Sequence, residues 1–132
     1  LTRIGDWYHA LRKPAWKPPD WAFGPIWTIV FFCLTFAITH SWAAASLTQR
    51  PLLLVALAAN GLLNIAWSGI FFMMRNPPLA FIELVIFWVS IVTVILVMSG
   101  ISRTAVLLTL PYLAWVTTAG VLNYQIVRLN RP

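Results

Sequence analysis

Four long apolar runs constrain this chain more than any other feature. They cover residues 23–46, 52–74, 79–98 and 105–127. Each has about 20 residues or more, and at ~1.5 Å rise per residue that length matches a hydrocarbon core of ~30 Å. Glu83 is the one acid or base inside them, with His40 the other titratable side chain of note. A membrane barrel would need alternating strands of roughly 10 residues, and none of the runs alternates. Helices, which satisfy their own backbone groups in lipid, are the remaining spanning form. Apolar residues make up 61% and charged residues 9%, with a mean hydropathy of +0.83, which fits a membrane protein rather than a water-soluble globule.

The length of 132 residues and the lack of any repeat or polar linker predict a single transmembrane domain over 1–132. The runs are joined at 48–51, 75–78 and 100–104, and connections this short predict antiparallel neighbours. The expected fold is therefore an all-α, polytopic transmembrane helical bundle with four spans. Alternation then places Arg3, Arg12, Lys13, Lys17, Arg75, Arg128 and Arg131 at one end and only Arg50 and Arg103 at the other. The positive-inside rule predicts that the more basic end, including 1–22 and the C-terminus, is cytoplasmic. With its basic residues at span ends, the net charge of +6 does not indicate a nucleic-acid partner. Cys33, alone and mid-span, reads as a small core residue. The N-terminal 20 residues do not resemble a cleavable signal, and the initial Leu points to sequence upstream.

Residues 7–27 hold four tryptophans, one tyrosine, four prolines and three cations directly before and into the first run. Prolines such as Pro14, Pro18 and Pro19 stiffen the chain, while Trp and Tyr settle at the membrane–water boundary. Such a segment is either an interfacial belt or a lid over a pocket. The tryptophans elsewhere favour the lid.

In the second run Asn60, Asn64, Trp67 and Phe71 fall on one helical stripe. Amides in hydrocarbon must be paired, so the stripe faces a neighbouring helix or a ligand. In the last run Pro111 is expected to bend the helix beside Trp115, with Ala119 one turn farther along the same face. Ala119 suits either close helix packing or a flat ligand. Tyr124 and Arg128 fit a weak sterol pattern and also suit plain interfacial anchoring. Glu83 is expected to pair with Arg75. Ala37, Ser41 and Ala45, spaced by four, offer a small-residue face for helix association. There is no nucleophile–base–acid arrangement, no metal cluster and no phosphate-cradling glycine loop, so no catalytic residue, metal or cofactor is expected. Eight tryptophans instead suggest an aromatic cavity for a flat apolar ligand.

Trp7-Tyr8, Lys13-Pro14-x-Trp16-x-Pro18-Pro19-x-Trp21, Trp27, Asn64-x-x-Trp67 with Phe71-Phe72, and Pro111-Tyr112-x-x-Trp115 through Leu122-Asn123 form an ordered set. Together they resemble the tryptophan-rich sensory protein and peripheral benzodiazepine receptor family, also called the translocator protein family. The resemblance covers nearly the whole chain. It implies a five-helix fold, usually a homodimer, that binds porphyrins or haem-type tetrapyrroles and in some members cholesterol or another lipid. The family's first helix precedes Trp7, where this chain has six residues, so either sequence is missing upstream or this member has four spans. Carried over, Tyr8, Trp16, Pro19, Trp27, Asn64, Trp67, Phe71, Trp115 and Ala119 are the implied ligand-binding positions. Tyr124 and Arg128 match the sterol-recognition segment. The implied function is a membrane receptor or carrier for tetrapyrroles with a sensory role. The alternatives are light-dependent porphyrin degradation in the same pocket and sterol or lipid transport.

Overall fold

The computed structural model describes residues 10–17 and 20–130, apart from the side chains of Asp20, Phe72 and Met73. Four long helices dominate: α1 over Asp20–Ala44, α2 over Gln49–Ser68, α3 over Pro77–Ser99 and α4 over Arg103–Leu129. All four segments are long and apolar enough to cross a membrane, and no strand occurs among the described residues. The chain is an integral, multi-pass membrane protein of all-α architecture.

Local chemistry sets the helix ends. Between α1 and α2 the Ser46 N–H donates to Gln49 Oε1 at 2.8 Å, and the Gln49 N–H donates back to Ser46 Oγ at 3.2 Å. This reciprocal pair is a capping box. Asn76 caps α3 by accepting from the Leu79 N–H at 3.1 Å, and Pro77 and Pro78 take first-turn positions that need no donor. Ser102 caps α4 by accepting from the Ala105 N–H at 3.2 Å.

The apolar run at 52–74 is not α-helical throughout. After Ser68 the chain widens into a π turn over Gly69–Met73. The Met74 N–H reaches back to the Gly69 carbonyl at 3.0 Å and the Asn76 N–H to the Ile70 carbonyl at 3.2 Å. Pro77 disfavours helical backbone at the residue before it, and Asn76 leaves the helical region with φ −126° and ψ 78°, which ends the run. Arg75 adopts a φ of 53°, in the left-handed region, as the chain reverses.

α1 packs on α4, α4 on α3 and α3 on α2. Between the consecutive α1 and α2, Ala37 shares a buried cluster with Leu53 and Ala56, and Arg50 Nε donates to the Trp42 carbonyl at 3.2 Å. Ala37, Ser41 and Ala45 are all buried within this one chain. The small-residue stripe is covered by the chain's own neighbouring elements, so the helix association expected of this face takes place within one chain. α3 and α4 approach closely at Gly120, where an added Cβ would stand 2.8 Å from Leu84 Cδ2. Outward-facing side chains such as Phe32, Leu62, Ile65 and Leu96 are exposed and apolar, as lipid contact requires.

At one end, residues 10–17 lie against the bundle. The Lys17 N–H donates to the Pro14 carbonyl at 3.1 Å and closes a turn. The Arg12 N–H donates to Asn130 Oδ1 at 3.0 Å, and Asn130 Nδ2 donates to the Arg12 carbonyl at 2.9 Å. These two bonds tie the segment to the C-terminal end of α4. Leu11 packs onto the buried cluster of Phe71, Ala80, Leu122 and Ile126.

Candidate ligand site

The core between α1 and α4 is built on indoles. The Trp27 and Trp115 rings meet edge to face, 6.1 Å between centroids at 89°. Phe23 meets Trp115 in the same manner at 5.5 Å, and Phe31 stacks on Trp27 at 5.1 Å. Trp115 belongs to a buried cluster with Val30, Leu84, Phe87, Tyr112 and Ala119, against which Trp27 and Trp67 also pack. Helical spacing explains the grouping on α4: Tyr112, Trp115 and Ala119 recur at three and four residues and share its inward face. Trp115 Nε1 is buried without a hydrogen-bond partner. Beside it, Ile26, Ile29 and Val30 of α1 with Pro111, Ala114, Trp115 and Thr118 of α4 line a groove of about 390 Å³. α4 runs through Pro111 as one helix, and Pro111 itself lines this groove.

A polar chain crosses the bundle next to the indoles. Asn64 Nδ2 donates to Tyr112 Oη at 2.9 Å, and Tyr112 Oη donates to Asn60 Oδ1 at 3.1 Å. Asn60 Nδ2 donates to Ser90 Oγ at 3.1 Å, and Ser90 donates to the Phe87 carbonyl. A second bridge runs from Trp67 Nε1 to Asn123 Oδ1 at 3.1 Å, and from Asn123 Nδ2 to the Pro77 carbonyl at 3.1 Å. The asparagine stripe therefore links α2 to α3 and α4, which accounts for amides at membrane depth. Ser90 was not a sequence candidate, although it lies seven residues beyond Glu83 on the same face of α3.

Of the implied ligand positions, the structure groups Trp27, Asn64, Trp67, Trp115 and Ala119 around these features. Phe71 is buried one step away, its ring stacked on Trp67 at 5.5 Å. Trp16 is 47% exposed on its turn and joins no core cluster. Tyr8 and Pro19 lie outside the described residues, as do Trp7 and Pro18. Tyr124 and Arg128 sit apart on the exposed side of α4, the guanidinium 5.9 Å from the Tyr124 ring centre. Tyr124 lines a different groove, of about 360 Å³ between α3 and α4. The expected Glu83–Arg75 pair does not form. Arg75 is exposed, whereas both carboxyl oxygens of Glu83 are buried without a hydrogen-bond partner. Glu83 stands six residues past the start of α3, about 9 Å along the axis, and points inward.

Comparison with known proteins reads this arrangement at the level of a family. The TspO/MBR family model matches residues 1–129. The chain belongs to this family. It is 37% identical over 130 residues to the tryptophan-rich protein TspO of Chlorobaculum tepidum, covering 95% of this chain and 80% of that protein. It is 31% identical over 130 residues to the tryptophan-rich sensory protein of Cereibacter sphaeroides, covering 98% and 80%. It is also 31% identical over 126 residues to the human translocator protein, covering 94% and 75%. Membership of the TspO/MBR family accounts for the run of tryptophans and for the transmembrane bundle. Among the described residues, no group of three His, Cys, Asp or Glu side chains could hold a metal ion.

Proposed function

We propose that this TspO/MBR protein is a membrane receptor or carrier for porphyrin or haem-type tetrapyrroles, bound against Trp27 and Trp115, with a sensory role. The observation that carries this reading is the pair of perpendicular indoles with the buried Trp115 N–H left without a partner. A flat, apolar ring system stacks on indole faces, and an acceptor on its edge would take up that N–H. The groove beside Trp115 falls within the ~300–1,000 Å³ typical of ligand pockets and is lined mostly by apolar side chains. Its outer rim includes the exposed Ile29, which suits entry from the bilayer.

Light-dependent degradation of the bound porphyrin is a second reading of the same indole pair, since it would put a photosensitiser beside oxidisable rings. Sterol or lipid transport would instead use the α3–α4 groove at Tyr124. The excess of basic residues supports a cytoplasmic location for the end that carries residues 10–17. A homodimer, which the resemblance implies, would form through outward faces of the helices rather than the buried Ala37 stripe.

Titration of detergent-purified protein with protoporphyrin, followed by tryptophan fluorescence and the porphyrin absorption band, tests the reading. Saturable quenching is expected, with affinity lowered about tenfold or more in Trp115→Leu. Non-saturable quenching in folded wild-type protein, or wild-type affinity in Trp115→Leu, would refute it. Under light and oxygen, a new absorbing product that disappears in Trp27→Phe and Trp115→Phe would favour turnover over carriage.

A further inference from the structure

The groove between α3 and α4 opens toward lipid, and its two ends differ in chemistry. Phe81, Val85 and Trp88 of α3 face Tyr124, Val121 and Thr117 of α4 across about 360 Å³. Each row follows one helical face in steps of three or four residues, so the groove runs along the helix axes. Its ends are seven residues apart on either helix, ~10 Å at ~1.5 Å per residue. The floor is set at Gly120, where an added Cβ would stand 2.8 Å from Leu84 Cδ2. At the deep end Thr117 Oγ1 accepts from Trp88 Nε1 at 2.8 Å and donates to the Leu113 carbonyl at 2.7 Å. These polar groups satisfy one another, so the deep end is suited to hydrocarbon.

The other end is cationic. The Phe81 and Tyr124 rings lie 5.5 Å apart there, and the Arg128 guanidinium stands 5.9 Å from the Tyr124 ring centre. This mouth is near the start of α3 and in the last turn of α4, at the headgroup level. Arg128 is exposed, and the one acid with a described side chain, Glu83, is buried without a hydrogen-bond partner. No described carboxylate therefore answers the Arg128 charge. A plain interfacial anchor accounts for Arg128 but not for an axial groove that begins beside it.

We propose that the α3–α4 groove holds one acyl chain of an anionic phospholipid whose phosphate pairs with Arg128. An acyl chain lies along the membrane normal, as the groove does, and ~10 Å is about two thirds of the ~15 Å that one leaflet gives to a ~30 Å core. A guanidinium matches phosphate oxygens in charge and in its forked geometry. A sterol hydroxyl is neutral and would leave the Arg128 charge unanswered, so the mouth selects a phospholipid over a sterol. The basic residues gathered at this end of the bundle favour the same sign of headgroup. The proposal is independent of the tetrapyrrole reading, which uses the groove between α1 and α4.

Native mass spectrometry of delipidated, detergent-purified protein tests this with dioleoyl phosphatidylglycerol and dioleoyl phosphatidylcholine, which share their chains and differ in net charge. Wild type should bind the first phosphatidylglycerol about five- to tenfold more tightly than phosphatidylcholine, the effect of one cation at the membrane surface. Arg128→Gln should nearly equalise the two lipids. Val121→Trp fills the groove from an exposed position, so it should weaken both lipids severalfold while the melting temperature moves little. Phosphatidylglycerol with brominated chains should quench tryptophan fluorescence saturably, and Trp88→Phe should remove most of that saturable part. Equal affinity in wild type, an unchanged preference in Arg128→Gln, or wild-type lipid affinity in a folded Val121→Trp would overturn the proposal. So would saturable quenching that Trp88→Phe leaves intact. Cholesterol that binds more tightly than phosphatidylglycerol, and is weakened by Val121→Trp, would assign the groove to sterols and overturn it as well.

Discussion

Removing one oxygen atom from Tyr112 should loosen α2 from α4. The side chain is 2% exposed, and its hydroxyl both accepts from Asn64 at 2.9 Å and donates to Asn60 at 3.1 Å. Tyr112→Phe keeps the ring and its place beside Phe87, so packing is nearly unchanged and the hydrogen bonds are isolated as the variable. Interhelical hydrogen bonds in membrane proteins average ~0.6 kcal/mol and reach ~1.7 kcal/mol, so two of them contribute about 1–3 kcal/mol. Asn60 Oδ1 and Asn64 Nδ2 would also be left without this partner, and Asn60 is buried, which favours the upper part of that range. Thermal unfolding in detergent, read by tryptophan fluorescence, should show a midpoint lowered by about 5–10 °C. A double-mutant cycle with Asn64→Leu isolates the pair and should return a coupling of about 0.5–1.5 kcal/mol. A Tyr112→Phe variant within 0.5 °C of wild type, with no coupling to Asn64, would refute the view that this chain holds α2 against α4.

Two other perturbations probe the frame around the site. Asn130→Ala removes both bonds between Arg12 and the end of α4, so tryptic cleavage after Arg12 should accelerate severalfold while the core melting temperature moves little. Trypsin is well suited to this assay because Lys13 and Lys17 both precede proline. Ala37→Leu overfills a fully buried position in the cluster with Leu53 and Val94, and should destabilise by about 1–3 kcal/mol without changing oligomeric state in chemical crosslinking.

The spans were legible because apolar length is a local property, readable without knowing what packs where. The caps at Asn76 and Ser102 were not legible, because both residues fall in segments that read as connections between the runs. Nor was the π turn after Ser68, because residues 69–73 are as apolar as the helix before them and apolar length does not distinguish an α turn from a π turn. Asn60 and Asn64 could be placed on one stripe, but their partners depended on which helices touch. Tyr112 was visible only as part of a motif, and Ser90 carried no signal alone. Charge pairing misled for a related reason. Glu83 and Arg75 are close in sequence, yet the left-handed backbone at Arg75 and the start of α3 at Pro77 leave one outside and the other inside. The Ala37 stripe was read correctly as a contact surface, and its partner proved to be the same chain.

The central claim, that a tetrapyrrole sits against Trp27 and Trp115, is tested most directly by where a bound photosensitiser oxidises the protein. Protoporphyrin-loaded protein is illuminated briefly in oxygenated detergent, and oxidation at each tryptophan is quantified by peptide mass spectrometry. Among the described tryptophans, access from solvent alone would rank Trp21 at 76% exposed first, then Trp16 at 47%, Trp42 at 38% and Trp88 at 37%, with Trp115 at 8% far behind. The proposed site predicts the reverse: oxidation concentrated at Trp115 and Trp27, suppressed there by an excess of a non-photosensitising tetrapyrrole competitor. Oxidation that follows the exposure ranking, with Trp115 spared, would contradict it.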